Sequence, residues 1–300
     1  MNDAVQGSVG DAIRAAAERL AHCNEDARLD AELLMAHALQ LSRSDMLLRA
    51  MRDPVPDGFE ALVARRESHE PVAYITGQAE FYGLALQVSP AVLIPRGDSE
   101  TLIDAARDHF ANRAPPARIL DLGTGSGALL LAALSVWPAA EGIGLDASMA
   151  ALKVAHCNAQ KLGMASRAQF VRRSWRKGDW QRGLGEFDLI LCNPPYVEDE
   201  ADLEAQVRDY EPGSALFAGP EGLDDYRILL PQVSHLLTAE AIAIFEIGST
   251  QQDVVADLAR NQGLGCEFRK DLAARPRAVI VSTRNLPKSR RGVGKPPGSL

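Results

Sequence analysis

Between residue 11 and about residue 70, apolar side chains return every three or four positions. Ile13, Ala16, Ala17 and Leu20 form one series, and Leu33, Leu34, Ala38 and Leu41 another, a spacing that lines one face of an α-helix. The polar stretch Asn24-Glu25-Asp26 and the turn at residues 54–58 interrupt the run, so the pattern predicts a small helical unit rather than one long helix. The period then drops to two. Phe81 and Tyr82 precede Gly83, and Leu84, Leu86 and Val88 alternate after it, which predicts a β-hairpin.

From about residue 117 the pattern becomes strand, glycine turn, helix, strand. Strands are expected at 118–122, 141–146, 168–171, 187–192, 241–247 and 278–282, with helices at 128–135 and 149–161. Such alternation implies a parallel, doubly wound sheet with helices on both faces. The tail from Leu286 is basic and rich in Pro and Gly, a composition expected to stay disordered. The chain therefore divides into a helical unit (1–75), a hairpin joint (76–95), an α/β unit (96–285) and a tail (286–300). The helical unit suits a structural cap or dimerisation element as well as a device that grips a partner, and its sequence alone separates neither.

Composition narrows the setting. Three hundred residues leave room for one large and one smaller domain, and 46% hydrophobic with 24% charged residues is the balance of a soluble globular chain. The longest strongly apolar run, around residues 128–137, is far shorter than a membrane span. No basic and then apolar leader opens the sequence, so a cytoplasmic location is expected. Cys23, Cys157, Cys192 and Cys266 are scattered without a CxxC pair or metal-ligand spacing, which suits reduced thiols and no metal site. A net charge of −8 argues against stable nucleic-acid binding, because phosphate contacts need cations. Arg172, Arg173, Arg176 and Lys177 do gather, leaving a local basic groove as the alternative to a solvated loop. The chain is expected to act as a monomer.

The first chemical signal is Asp121-Leu-Gly123-Thr-Gly125-Ser-Gly127, between a strand and a helix. Glycines let the backbone approach a ligand, and the following helix offers free N–H groups. The segment also fits a dinucleotide fingerprint, so a nicotinamide cofactor is a rival reading. Two acids tilt the choice. Asp121 stands directly before the glycines, where it would repel a pyrophosphate and attract a cationic amino-acid group. Asp146 ends the next strand, where a carboxylate can take both hydroxyls of a ribose or merely cap a helix.

The second signal is Asn193-Pro194-Pro195-Tyr196, directly after the fourth strand. The Asn193 side-chain oxygen and the Pro194 carbonyl can both accept hydrogen bonds from one NH₂ group, and neither proline has an N–H to donate. Tyr196 adds a flat face for a planar amide or base. The plainer alternative is a proline-rich turn that closes a strand.

These segments resemble the class I methyltransferases that act on exocyclic or amide nitrogens. Glu70-Pro-Val-Ala-Tyr-Ile-Thr-Gly-Gln-Ala-Glu-Phe-Tyr-Gly and Val92-Leu-Ile-Pro-Arg-Gly-Asp-Ser-Glu100 narrow the likeness to the protein-(glutamine-N5) methyltransferases, over roughly residues 10 to 285. The likeness departs at Gly97, where the family usually has Pro, and at Ser99, often Thr. The resemblance implies a Rossmann-like doubly wound sheet, a small N-terminal helical domain that recognises the substrate, and S-adenosyl-L-methionine as cofactor. It implies as partner a class-1 peptide chain release factor, methylated on the glutamine of its Gly-Gly-Gln motif. Gly123, Thr124, Gly125, Ser126 and Gly127 would take the methionine portion, Asp146 the ribose, and Trp175 the neighbourhood of the adenine, with Trp180 a nearby competitor. Asn193 would contact substrate and cofactor, and Pro194, Pro195 and Tyr196 would hold the glutamine amide. Glu246 is read here as the end of a strand, with lining the cleft as the alternative. Three rivals stand beside this reading: a ribosomal-protein glutamine methyltransferase, a DNA or RNA adenine methyltransferase, and a non-catalytic protein on the same fold.

Overall fold

The computed structural model describes residues 7–23 and 25–283; Asn24 and the tail expected to be disordered lie outside them. Helix α1 (Val9–Leu20) starts at a reciprocal cap, in which the Ser8 hydroxyl accepts from the Asp11 N–H and the Asp11 carboxylate accepts from the Ser8 N–H. Helix α2 (Ala27–Leu39), the short α3 (Arg43–Asp45) with a π-helical turn after it, α4 (Phe59–Glu67) and α5 (Val72–Thr76) complete the helical unit. Its own apolar core includes Ile13, Leu20, Leu34, Met35, Met46 and Val63. The expected stripe on α2 is rotated, because Leu33 and Leu41 are exposed while Ala27, Ala31, Leu34 and Met35 face inward. Asp30 shares that inward face because it pairs with Arg66 of α4, at 2.7 Å in a buried ion pair.

Strands β1 (Gln78–Phe81) and β2 (Leu84–Gln87) form the expected hairpin. Its two turn residues, Tyr82 and Gly83, both have positive φ, the geometry whose twist matches paired strands.

The rest is one seven-stranded sheet. In chain order come α6 (Glu100–Phe110), β3 (Arg118–Leu122), α7 (Ala128–Val136), β4 (Glu141–Asp146), α8 (Met149–Lys161), β5 (Ala168–Arg172) and β6 (Phe187–Cys192). Then follow α9 (Ala205–Arg208), α10 (Asp224–Val233), β7 (Leu237–Glu246), α11 (Gln252–Arg260), β8 (Gly265–Lys270) and β9 (Pro276–Ser282). The spatial order is β5-β4-β3-β6-β7-β9-β8. Alternate strand residues feed two cores: Leu120, Leu122 and Ile190 meet α10 and α11, whereas Ile119, Leu189 and Leu191 meet α6, α7 and the hairpin. Helices therefore cover both faces, as expected.

Two features depart from the sequence reading. Strand β8 was not anticipated, because Glu267, Arg269 and Lys270 make it a polar edge strand. The expected all-parallel order also ends there: β9 runs antiparallel to β7 and β8 antiparallel to β9. A tight turn around Asp271 to Arg275 joins β8 to β9, and so short a link permits only antiparallel pairing. Among the described residues, no helix is long and apolar enough to cross a membrane.

Candidate active site

The carboxyl ends of β3, β4 and β6 open onto one cavity of about 480 Å³, at the edge where open α/β sheets place their ligands. Its walls include Gly123 to Ser126, Asp146, Trp175, Asn193 and Pro195.

The glycine loop is built on backbone that L side chains avoid. Gly123, Gly125 and Gly127 have φ of 74°, 53° and 84°. The N–H groups of Gly123 and Thr124 both donate to the Leu145 carbonyl, at 2.9 and 2.8 Å, which ties the loop to β4. A Cβ on Gly123 would lie 3.0 Å from Trp175 Cη2, so the indole rests directly on this glycine. Gly127 starts α7 and brings it against Ala155 of α8.

Asp121 lies beneath the loop and is 1% exposed. Its Oδ2 accepts from the Thr124 hydroxyl at 2.6 Å, while its Oδ1 has no partner within the protein. Burial pushes this carboxyl up to about 7, with the Thr124 hydrogen bond pulling the other way and Asp146 adding repulsion. Asp146 accepts from the N–H of Gly125 at 3.0 Å and of Ser148 at 2.8 Å. Burial raises its carboxyl too, against those backbone donors. It is not the cap of α8, because the Ser148 hydroxyl fills that position by accepting from the Ala151 N–H.

The two tryptophans separate. Trp175 lines the cavity and donates its indole N–H to Asp225 at 2.6 Å. Trp180 is buried in the core and donates to Gln232. Two of the neighbouring cations brace this loop: Arg173 staples it through the carbonyls of Trp180 and Arg182, and Arg176 pairs with Asp225 at 2.8 Å.

In the Asn193–Tyr196 segment, Asn193 and Pro195 line the cavity and Pro194 and Tyr196 do not; both prolines are buried. Tyr196 turns its hydroxyl to Glu246 at 3.1 Å, and its carbonyl accepts from Gln251 at 3.0 Å. Burial pushes the Tyr196 hydroxyl up, and the Glu246 charge adds to it. Asn193 donates its side-chain NH₂ to Ser99 Oγ at 3.3 Å, and Ser99 in turn donates to Glu246 Oε2. Glu246 is therefore not a mere strand end: it is 1% exposed and anchors the segment from behind. Burial raises its carboxyl, while Ser99, Arg277 and Tyr196 hold it down.

Sequence reasoning missed Ser99, Phe81, Arg96, Asp225 and the stretch from Pro212 to Phe217, all of which reach the cavity. Phe81, Arg96 and Ser99 lie in segments that carry the family likeness without a chemical pattern of their own, and Asp225 and the 212–217 stretch lie in no such segment. Glu246 did offer a usable signal, an acid at the carboxyl end of a strand like Asp121 and Asp146.

Comparisons with known proteins place the chain in a family. The profile of the PrmC N-terminal domain matches residues 11–77, and that of a methyltransferase domain matches residues 115–262. A release factor glutamine methyltransferase of Rhodospirillum rubrum is 41% identical over 87% of this chain and 80% of its own. One of Nitratidesulfovibrio vulgaris is 37% identical over 91% and 94%. Among solved structures, the hMettl16 catalytic domain, in complex with the MAT2A 3′UTR hairpin 6, superposes with a TM-score of 0.54. That match covers 68% of this chain and 77% of the other at 14% identity, a likeness of fold alone. From its helical unit to its sheet, this chain belongs to the release factor glutamine methyltransferase family.

Proposed function

We propose that this chain transfers a methyl group from S-adenosyl-L-methionine to the side-chain amide nitrogen of a release-factor glutamine, the one in the Gly-Gly-Gln motif. The observation that carries the reading is Asn193. It stands on the wall of the cavity that the glycine loop borders, with its NH₂ turned away to Ser99. Its side-chain oxygen is left to accept from a planar NH₂ group.

The residues present fit the cofactor. The unpartnered, buried Asp121 Oδ1 answers a cationic amino group, Asp146 suits ribose hydroxyls, and the glycines admit a close approach of the methionine portion. Trp175, on the cavity wall, would pack beside the adenine. Once bound, the cofactor supplies a methyl group already activated by a sulfonium. The chain's work is then orientation, since an amide nitrogen is a weak nucleophile whose lone pair is shared with its carbonyl. Asn193 and the Pro194 carbonyl hold the amide protons and favour a nitrogen that gains positive charge. Val92, Leu93 and Phe217 give the cavity an apolar rim that limits water near the reacting atoms.

The helical unit (1–75) recognises the protein substrate, the hairpin (76–95) joins it to the catalytic unit (96–285), and the connection is direct. Tyr210 donates to the Ser68 carbonyl at 2.7 Å, and Glu211 binds both Arg96 and the Ile94 N–H. These contacts lead straight into the Pro212–Phe217 stretch over the cavity.

Transfer of labelled methyl to a release factor, and not to one whose motif glutamine is glutamate, tests the assignment. Asn193→Ala lowers kcat by about 10²–10³-fold, the cost of one preorganised polar contact, with cofactor affinity little changed. A variant that methylates release factor at the normal rate would contradict the role given to Asn193.

A further inference from the structure

A buried polar chain of Ser99 and Glu246 stands behind Asn193. We infer that Ser99 and Glu246 are positioning residues that fix the direction of the Asn193 amide and thereby set the site's preference for glutamine over glutamate. The inference rests on the activity proposed above.

Glu246 closes β7 at the cavity end and is held from several sides. It is paired in register with Ala278 of β9, and its carbonyl accepts from the buried Tyr226 hydroxyl at 2.6 Å. Both carboxylate oxygens are engaged by hydroxyl donors, Oε2 by Ser99 and Oε1 by Tyr196. Arg277, itself 8% exposed and paired with Asp98 at 2.8 Å, adds positive charge nearby.

The chain of donors has only one sense. Glu246 takes two hydroxyl donors and has Arg277 beside it, an arrangement that suits an accepting carboxylate, so the single proton of the Ser99 hydroxyl goes to Glu246. Ser99 is then left with lone pairs only and accepts from Asn193. The amide of Asn193 must present NH₂ to Ser99 and oxygen to the cavity. Reversed, it would point NH₂ at the substrate.

That polarity selects the substrate. A glutamine offers NH₂ to the Asn193 oxygen. A glutamate carboxylate offers only lone pairs, oxygen against oxygen, and a site built to hydrogen-bond one group discriminates strongly against its isostere. The discrimination is therefore set two residues away from the substrate, by a carboxylate that does not touch it.

The test uses the full-length protein with a release factor and its glutamine-to-glutamate form. Ser99→Ala lowers kcat by about ten- to a hundredfold, the effect of one misdirected hydrogen-bonding group, while cofactor affinity measured by calorimetry stays within about twofold. Ser99→Thr keeps the hydroxyl and recovers most of the lost turnover. In an Asn193→Ala background, Ser99→Ala has no further effect on kcat, because it acts through Asn193. Glu246→Gln can donate to Ser99 and let the amide turn, so the glutamate form of the release factor becomes a better competitive inhibitor as turnover of the glutamine form falls. Turnover of Ser99→Ala within about threefold of wild type, or equal loss in Ser99→Ala and Ser99→Thr, overturns the inference. So does a Glu246→Gln protein that weakens on both forms alike; where that variant does not fold, the Ser99 pair decides. A wild-type protein inactive on release factor would instead sink the proposed activity, a separate result.

Discussion

A carboxyl group at 1% exposure with one oxygen unpartnered is an uncomfortable arrangement, and Asp121 has it beneath the glycine loop. Its ordinary value of 3.8 is raised to about 7, mainly by burial. The sign follows from linkage. A carboxyl raised in the folded state contributes stability in full below 3.8, and that contribution is lost as the pH climbs through about 7. Binding a cation against Asp121 favours its ionised form, so cofactor affinity rises with pH up to about 7 and flattens above it. Calorimetric titrations with S-adenosylmethionine between about pH 5.5 and 8 show that slope in the wild type and lose it in Asp121→Asn; a flat wild-type profile removes Asp121 from the cofactor site. At this scale the sequence was readable where one residue's place in a local pattern carries its meaning. Asp121 precedes the glycines near a strand end, Asp146 ends the next strand, and Asn193 begins a proline pair. Ser99 was not readable, because it meets Glu246 across 147 positions of sequence, and no local period records such a meeting.

Elements were legible wherever one period dominated. Helix α8 starts and stops at the residues the pattern indicated, Met149 and Lys161, and the hairpin turn is where Tyr82 and Gly83 place it. Strand β8 escaped because an edge strand has little apolar alternation to show, and the face of α2 was misjudged because an ion pair with Arg66 drew Asp30 inward. The glycine loop yields a test of the element as a whole. Gly123→Ala adds left-handed strain of about 1–2 kcal/mol, and its Cβ would press on Trp175 at 3.0 Å. Cofactor affinity falls by about tenfold or more, with far-ultraviolet circular dichroism unchanged. Gly163→Ala, at φ +69° with nothing within 4 Å of its Cβ, is the control: similar strain lowers stability and leaves the cofactor bound. Equal cofactor affinity in both variants would show that Trp175 and the loop do not act as one surface.

Across the whole molecule, the helical unit meets the sheet unit at a small apolar cluster of Tyr74, Val88, Val92 and Ala151 and at the hydrogen bond from Tyr210 to the Ser68 carbonyl. The doubly wound plan was legible from alternating strands and helices. The antiparallel β9–β8 edge was not, since direction depends on the length of a turn rather than on hydrophobic pattern. A net charge of −8 weighs against extensive phosphate contacts. Which macromolecule receives the methyl group is decided by one competition experiment. Release factor, ribosomal protein and DNA are incubated together with the protein and labelled S-adenosylmethionine, and the products are read by mass spectrometry. The expected result is a gain of roughly 14 Da, one CH₂ added as a covalent modification, confined to the Gly-Gly-Gln peptide of the release factor. Label on DNA, or on ribosomal protein with the release factor unmodified, would contradict it.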